Sequence, residues 1–121
     1  MPQSKYVGTE RRRFVRIPFW FVTKYRVYPH DVNNTEEFRQ GIGKNISAGG
    51  VCFEANDRFN TGSCLELEID MPALAHSVTL IGKVAWINSN NETNRNVYGL
   101  EFLKIDTRDL NSVKAIIETF A

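Results

Sequence analysis

The sequence predicts a mostly β chain: a small antiparallel six-stranded β-barrel followed by one C-terminal α-helix, with a flexible basic arm in front. Three observations carry the strands and the helix. Apolar and polar residues alternate with period two over several short stretches, clusters of Gly, Pro, Asn and Asp separate them, and the period lengthens to three or four only at the C-terminus. At 121 residues and 42% hydrophobic content the chain can bury one core, with no room for two domains of ordinary size. We therefore expect residues 1–16 to form the arm and 17–121 a single domain.

The first strand is Ile17 to Tyr28, rich in Phe, Trp, Val, Thr and Tyr, with Phe19, Phe21, Tyr25 and Val27 on one face. Trp20 falls on the opposite face, from which it can pack beneath the C-terminal helix. Pro29 to Thr35 has turn chemistry, and Phe38 to Asn45 reads as the returning strand. Ala48-Gly49-Gly50 makes a sharp turn into a third strand, Val51 to Glu54. Ser63 to Asp70 alternates most cleanly, with Leu65, Leu67 and Ile69 inward and Glu66 and Glu68 outward. After a loop opened by Pro72, Val78 to Ile87 places Val78, Leu80, Val84 and Trp86 on one face, and Arg95 to Leu103 does so with Tyr98, Leu100 and Phe102. Asn88 to Asn94 between them is a polar hairpin loop. Leu110, Val113, Ile116, Ile117 and Phe120 recur at helical spacing, so Thr107 to Phe120 is an amphipathic helix capped by Asp106 or Thr107.

Charge is distributed unevenly. Residues 1–30 hold seven basic residues against Glu10 alone, a surplus of six that leaves a deficit of five elsewhere beneath a net charge of +1. A basic arm on a mildly acidic body implies that the arm meets an anion. Within it stands Arg11-Arg12-Arg13-Phe14-Val15-Arg16, and about thirty residues on comes Asn45-Ile46-Ser47-Ala48-Gly49-Gly50. An arginine fork pairs with phosphate oxygens or with the O6/N7 edge of guanine, while Asn and Ser supply short groups that read a base edge. Together they suggest a guanine-containing phosphate ligand. Asn-x-Ser also forms local turns unaided, and Gly50 permits either a backbone conformation or a close approach that a Cβ would block.

Arg12 and Arg16 as RxxxR, then Asn45, Ser47 and Gly50 as NxSxxG, together with the Gly82–Trp86 and Tyr98–Phe102 strands, resemble the PilZ domain, a bacterial receptor module for cyclic di-GMP. The resemblance runs from about Glu10 to Phe102. It implies the barrel with its helix, and a site in which Arg12 and Arg16 grip the nucleotide through phosphates and guanines while Asn45, Ser47, Gly49 and Gly50 receive it. It also implies that Arg11, directly before RxxxR, favours an intercalated ligand dimer; two stacked ligands carry four phosphate charges for a third guanidinium. Arg13 is a variable position. Trp86 has two readings: a guanine-stacking aromatic by resemblance, or a core residue by its alternation with Val84 and Leu80.

The expected protein is a receptor and not an enzyme, with no cofactor beyond the ligand cyclic di-GMP. His30 and His76 lack Ser, Asp or Cys partners at a recognisable spacing, and Glu66, Glu68 and Asp70 read as a solvated face. Cys52 and Cys64 read as reduced structural thiols. No apolar run approaches the roughly 20 residues that span a bilayer, and the N-terminus lacks a signal peptide's apolar core, so a cytoplasmic protein is expected. With no output domain, its effect passes through an unidentified downstream protein. Two other readings stand beside this one: a PilZ-like adaptor that binds no nucleotide, and a small-barrel nucleic-acid binder, the latter disfavoured by the acidic body.

Overall fold

In the computed structural model the described residues are 20–29, 37–71, 74, 76–90 and 92–120, with the backbone alone at Asn90 and Phe120. Arg11, Arg12, Arg13 and Arg16, the turn residues 30–35 and Pro72 lie outside them. The elements in chain order are β1 (Phe21–Val27), β2 (Arg39–Ile46), β3 (Gly50–Ala55), β4 (Cys64–Asp70), β5 (Val78–Asn90), β6 (Arg95–Ile105) and α1 (Thr107–Phe120). The strands form a closed barrel in the order β1-β2-β3-β6-β5-β4, every neighbouring pair antiparallel.

Alternation turns each strand into a wall with one apolar face. In β4, Leu65, Leu67 and Ile69 are buried between the less buried Glu66 and Glu68. Phe21, Tyr25, Val51, Phe53, Val78, Leu80, Val84, Tyr98 and Leu100 fill the same interior, each full burial stabilising by about 1.5–3 kcal/mol for an aliphatic or Phe side chain. Helix α1 adds Val113, Ile116 and Ile117 to this core. Its first turn closes through the Leu110 N–H on the Asp106 carbonyl (2.8 Å), which fits Asp106 as the cap. The buried Asp109 ties the helix to the barrel, accepting the Thr79 N–H (3.2 Å) and meeting His76 Nε2 (3.0 Å).

Three expectations need correction. Trp86 does not share the face of Val84 and Leu80. Val84 pairs with Leu100 but Trp86 with Gly99, so Ala85 is an extra residue that reverses the phase of β5; Trp86 turns outward and is 44% exposed, while Ile87 packs on the core. Trp20 is 69% exposed, with the Lys44 ammonium over its ring at 4.1 Å, and is not packed beneath α1. Asn88, Ser89 and Asn90 belong to β5, pairing with Val97, Asn96 and Arg95, because polar side chains on an exposed ribbon leave its backbone ladder intact. Asn94, at φ 56°, makes the turn.

Candidate functional site

The NxSxxG segment joins β2 to β3. Ile46 is fully buried, anchoring the end of β2, and the chain then reverses around Ser47. The Ser47 hydroxyl accepts the N–H groups of Gly49 and Gly50 (both 3.2 Å) and donates to the Gly50 carbonyl (3.3 Å), which also takes the Ser47 N–H (2.9 Å). The local-turn reading therefore holds for Ser47, which is 1% exposed. The Gly49 carbonyl accepts the Phe102 N–H (3.0 Å), and Gly50 lies so close to β6 that a Cβ would run into the Leu100 carbonyl oxygen. Ser47, Gly49 and Gly50 thus shape the turn, while Asn45 is half-buried on the outside of the barrel.

A bulge aims Asn45. Gly43 pairs with Phe53 and Asn45 with Cys52, leaving Lys44 as an extra residue. Gly43 faces inward against the Phe21 ring, Lys44 and Asn45 face outward, and Ile46 returns to the interior. Asn45 pairs with Cys52, Cys52 with Gly99 and Gly99 with Trp86, so these four residues form one row across the outer faces of β2, β3, β6 and β5. At the usual strand spacing the row spans about 14 Å. The Trp86 indole lies over Gly99, occupying the place of a side chain there. The sequence candidates Asn45 and Trp86 are thereby brought onto one surface. The arginines Arg11, Arg12 and Arg16 fall outside the described residues, but β1, which follows them, begins with Phe21 opposite Gly43.

Below this row runs a charged one. Lys44 Nζ meets Glu54 Oε1 at 3.1 Å, and Arg95 Nε meets Glu54 Oε2 at 3.0 Å. Burial alone would raise the Glu54 carboxyl, but hydrogen bonds and charge from Lys44 and Arg95 hold it below its ordinary value. Sequence reasoning missed Lys44 and its contact with Trp20, since the bulge that aims Lys44 depends on long-range register. It also missed a groove of about 530 Å³ at the other end of the barrel, lined among others by Tyr25, Phe38, Arg39, Asp57 and Phe59.

Glu66 and Glu68 stand opposite Arg26 and Lys24 on the outer face of β1, with Arg26 Nε 2.8 Å from Glu66 Oε1. Among the described residues no group of three His, Cys, Asp or Glu side chains could hold a metal ion. Cys52 and Cys64 are both free thiols. No helix among the described residues is long and apolar enough to cross a membrane.

A family model for the PilZ domain matches residues 10–119. Comparison with curated proteins found no match. Among solved structures the chain is similar to the Bacillus subtilis inhibitor of motility MotI/DgrA, with TM-score 0.73 and 23% identity over 90% of this chain and 50% of that one. It is similar to the PilZ domain of Escherichia coli YcgR with c-di-GMP, at TM-score 0.68 and 14% identity over 91% of each chain. A third likeness is to the K. pneumonia MrkH–c-di-GMP complex, at TM-score 0.58 and 16% identity over 90% of this chain and 51% of that one. The chain spans about half the length of MotI/DgrA and of MrkH. At these identities the structural likeness is one of fold, and with the family match over nearly the whole sequence it has one meaning: the chain belongs to the PilZ domain family.

Proposed function

We propose that this protein is a cyclic di-GMP receptor that acts in the cytoplasm. Its arginine arm closes over the nucleotide, and the change of surface is read by a protein partner. The observation that carries the reading is the outer-face row from Asn45 to Trp86, which offers a base-edge reader and a stacking aromatic beside the start of β1. YcgR and MrkH, both similar in fold, are described in complex with c-di-GMP. Only residues 17–20 separate Arg16 from β1. So short a connection allows the Arg12 and Arg16 guanidinium groups to reach toward Asn45 and pair with phosphate or guanine. Ser47, Gly49 and Gly50 serve by holding the turn that presents Asn45. Arg11 supplies a third guanidinium, and two stacked ligands per chain are the stoichiometry it fits.

Calorimetric titration tests this. Cyclic di-GMP should bind saturably, at a ratio near two, and GMP and cyclic di-AMP should not. Arg12→Ala or Arg16→Ala should each abolish binding while leaving the thermal midpoint of the ligand-free protein nearly unchanged. A folded wild-type protein that gives no heat with cyclic di-GMP overturns the assignment and leaves the nucleotide-free adaptor. A folded arginine variant of undiminished affinity removes the arm from the mechanism.

A further inference from the structure

Trp20 is the most exposed large hydrophobic side chain among the described residues, at 69%, ahead of Leu103 at 52% and Trp86 at 44%. A single exposed apolar side chain is ordinary on a protein surface, and it is the neighbours of this one that set it apart. Among the described residues, Lys44 holds it from one side. Continuing the Phe21–Gly43 register by one residue brings Trp20 opposite Lys44, whose ammonium lies 4.1 Å from the ring centroid. That ammonium is itself held by Glu54, and Glu54 by Arg95. The chain of contacts from Arg95 to Trp20 presents the indole in one orientation, with a cation against one face.

Lys44 is the bulged residue that turns Asn45 outward, so Trp20 stands immediately beside the proposed base-edge reader. Trp86 stands at the far end of the same row. From β1 to β5 across β2, β3 and β6 is four strand spacings, about 19 Å along the barrel surface. The only two tryptophans of the chain thus flank the row that contains Asn45, one on each side.

Resting on the receptor reading above, we propose that Trp20 is a second stacking platform of the nucleotide site: one guanine lies on Trp20 and another on Trp86, with Asn45 between them. Lys44, beneath Trp20, sets the plane of the indole and adds positive charge where a phosphate would pass. Neither residue belongs to the two motifs, and neither is one of the arm arginines. The arrangement gives a ligand with two purines, or two stacked ligands, an aromatic contact at each end. A mononucleotide could use only one, so the two platforms together favour the dinucleotide.

Because each tryptophan can be removed in turn, the test reads each platform separately. In Trp86→Phe the sole indole is Trp20, and cyclic di-GMP should quench its emission saturably. In calorimetry, Trp20→Ala in the otherwise wild-type chain should weaken cyclic di-GMP by about tenfold, the scale of one lost base stack. Trp20→Tyr should recover most of the loss, which a merely steric role would not require. Unchanged affinity in Trp20→Ala, with the wild type binding normally, overturns this proposal alone and leaves the receptor reading intact. Absence of binding by the wild type overturns both. Circular dichroism of Trp20→Ala should match the wild type, since so exposed a side chain contributes little to the core.

Discussion

Gly50 and Gly99 are both too crowded for a side chain, and the consequences differ. At Gly50 a Cβ would meet the Leu100 carbonyl oxygen, part of the paired β6 backbone, which cannot step aside without breaking the ladder. At Gly99 it would meet the Trp86 indole, which can swing away on its own bonds. Gly50→Ala should therefore destabilise the fold by about 1–3 kcal/mol in urea titration, the usual cost of overpacking. Gly99→Ala should cost less, but shift the Trp86 emission maximum as the indole is lifted from its seat. A requirement for glycine at Gly50 was legible in the sequence, as either a backbone conformation or a close approach; that it is a close approach, and to β6, was not, because nothing in NxSxxG names the strand across from it. Ser47 was readable as a turn former from its neighbours alone, and its hydroxyl serves that turn. The outward facing of Asn45 and Trp86 follows from the bulges at Lys44 and Ala85, which depend on how two strands register and leave no mark in either strand's own composition.

Among the elements, α1 was the easiest to read and β5 the hardest. The helix shows its period over its whole length, and Val113, Ile116 and Ile117 are buried as that period requires. Its attachment is less obvious. Asp109, in the first turn, looks like an ordinary charge favoured near a helix N-terminus. In the fold it is 6% exposed and spans from α1 to β5, accepting the Thr79 N–H and meeting His76. Asp109→Ala would remove the charged acceptor of the Thr79 amide, so it should lower stability by about 1.5–3 kcal/mol in denaturant titration. Asp109→Asn, which keeps an acceptor for Thr79, should lose less. In β5, period-two reading succeeds from Val78 to Val84 and fails at the next residue, because one inserted residue inverts everything beyond it. The polar tail of the strand, Asn88 to Asn90, was read as loop because its composition is that of a loop, whereas backbone pairing with β6 decides its conformation.

For the molecule as a whole, the six strands and the helix were legible from alternation and turn chemistry, and closure of the sheet came from family resemblance. What locks the barrel end away from the NxSxxG turn was not foreseen. There the rings of Tyr25, Phe53, Phe59 and Tyr98 pack edge to face or tilted, and the Tyr25 hydroxyl donates to Asp57 Oδ2 at 2.6 Å. Tyr98 donates to the Asp57 carbonyl at 2.6 Å, and Arg39 grips Oδ1 at 2.9 Å. Burial, reinforced by the hydrogen bond and negative charge of Asp57, keeps the Tyr25 phenol protonated far above its ordinary range. A group whose folded pKa exceeds its unfolded one stabilises fully below the unfolded value, about 10 for tyrosine, and loses that contribution as pH rises toward the folded value. The thermal midpoint should therefore fall above about pH 10, and Tyr25→Phe, though less stable at neutral pH, should fall less steeply over that alkaline range; equal slopes would remove Tyr25 from the alkaline transition. The closed sheet also has a consequence for how such a surface can change. In an open sheet, parity along one strand can be reset by an inserted or deleted residue and the error runs off the edge. A closed one has no edge, so each extra residue enters a sum around the ring that must return to its starting register. Lys44 and Ala85, which turn Asn45 and Trp86 outward, are two entries in that sum, and neither can be deleted without a matching change at another seam. Substitution can retune the chemistry of this face one side chain at a time, but its geometry is inherited as a set.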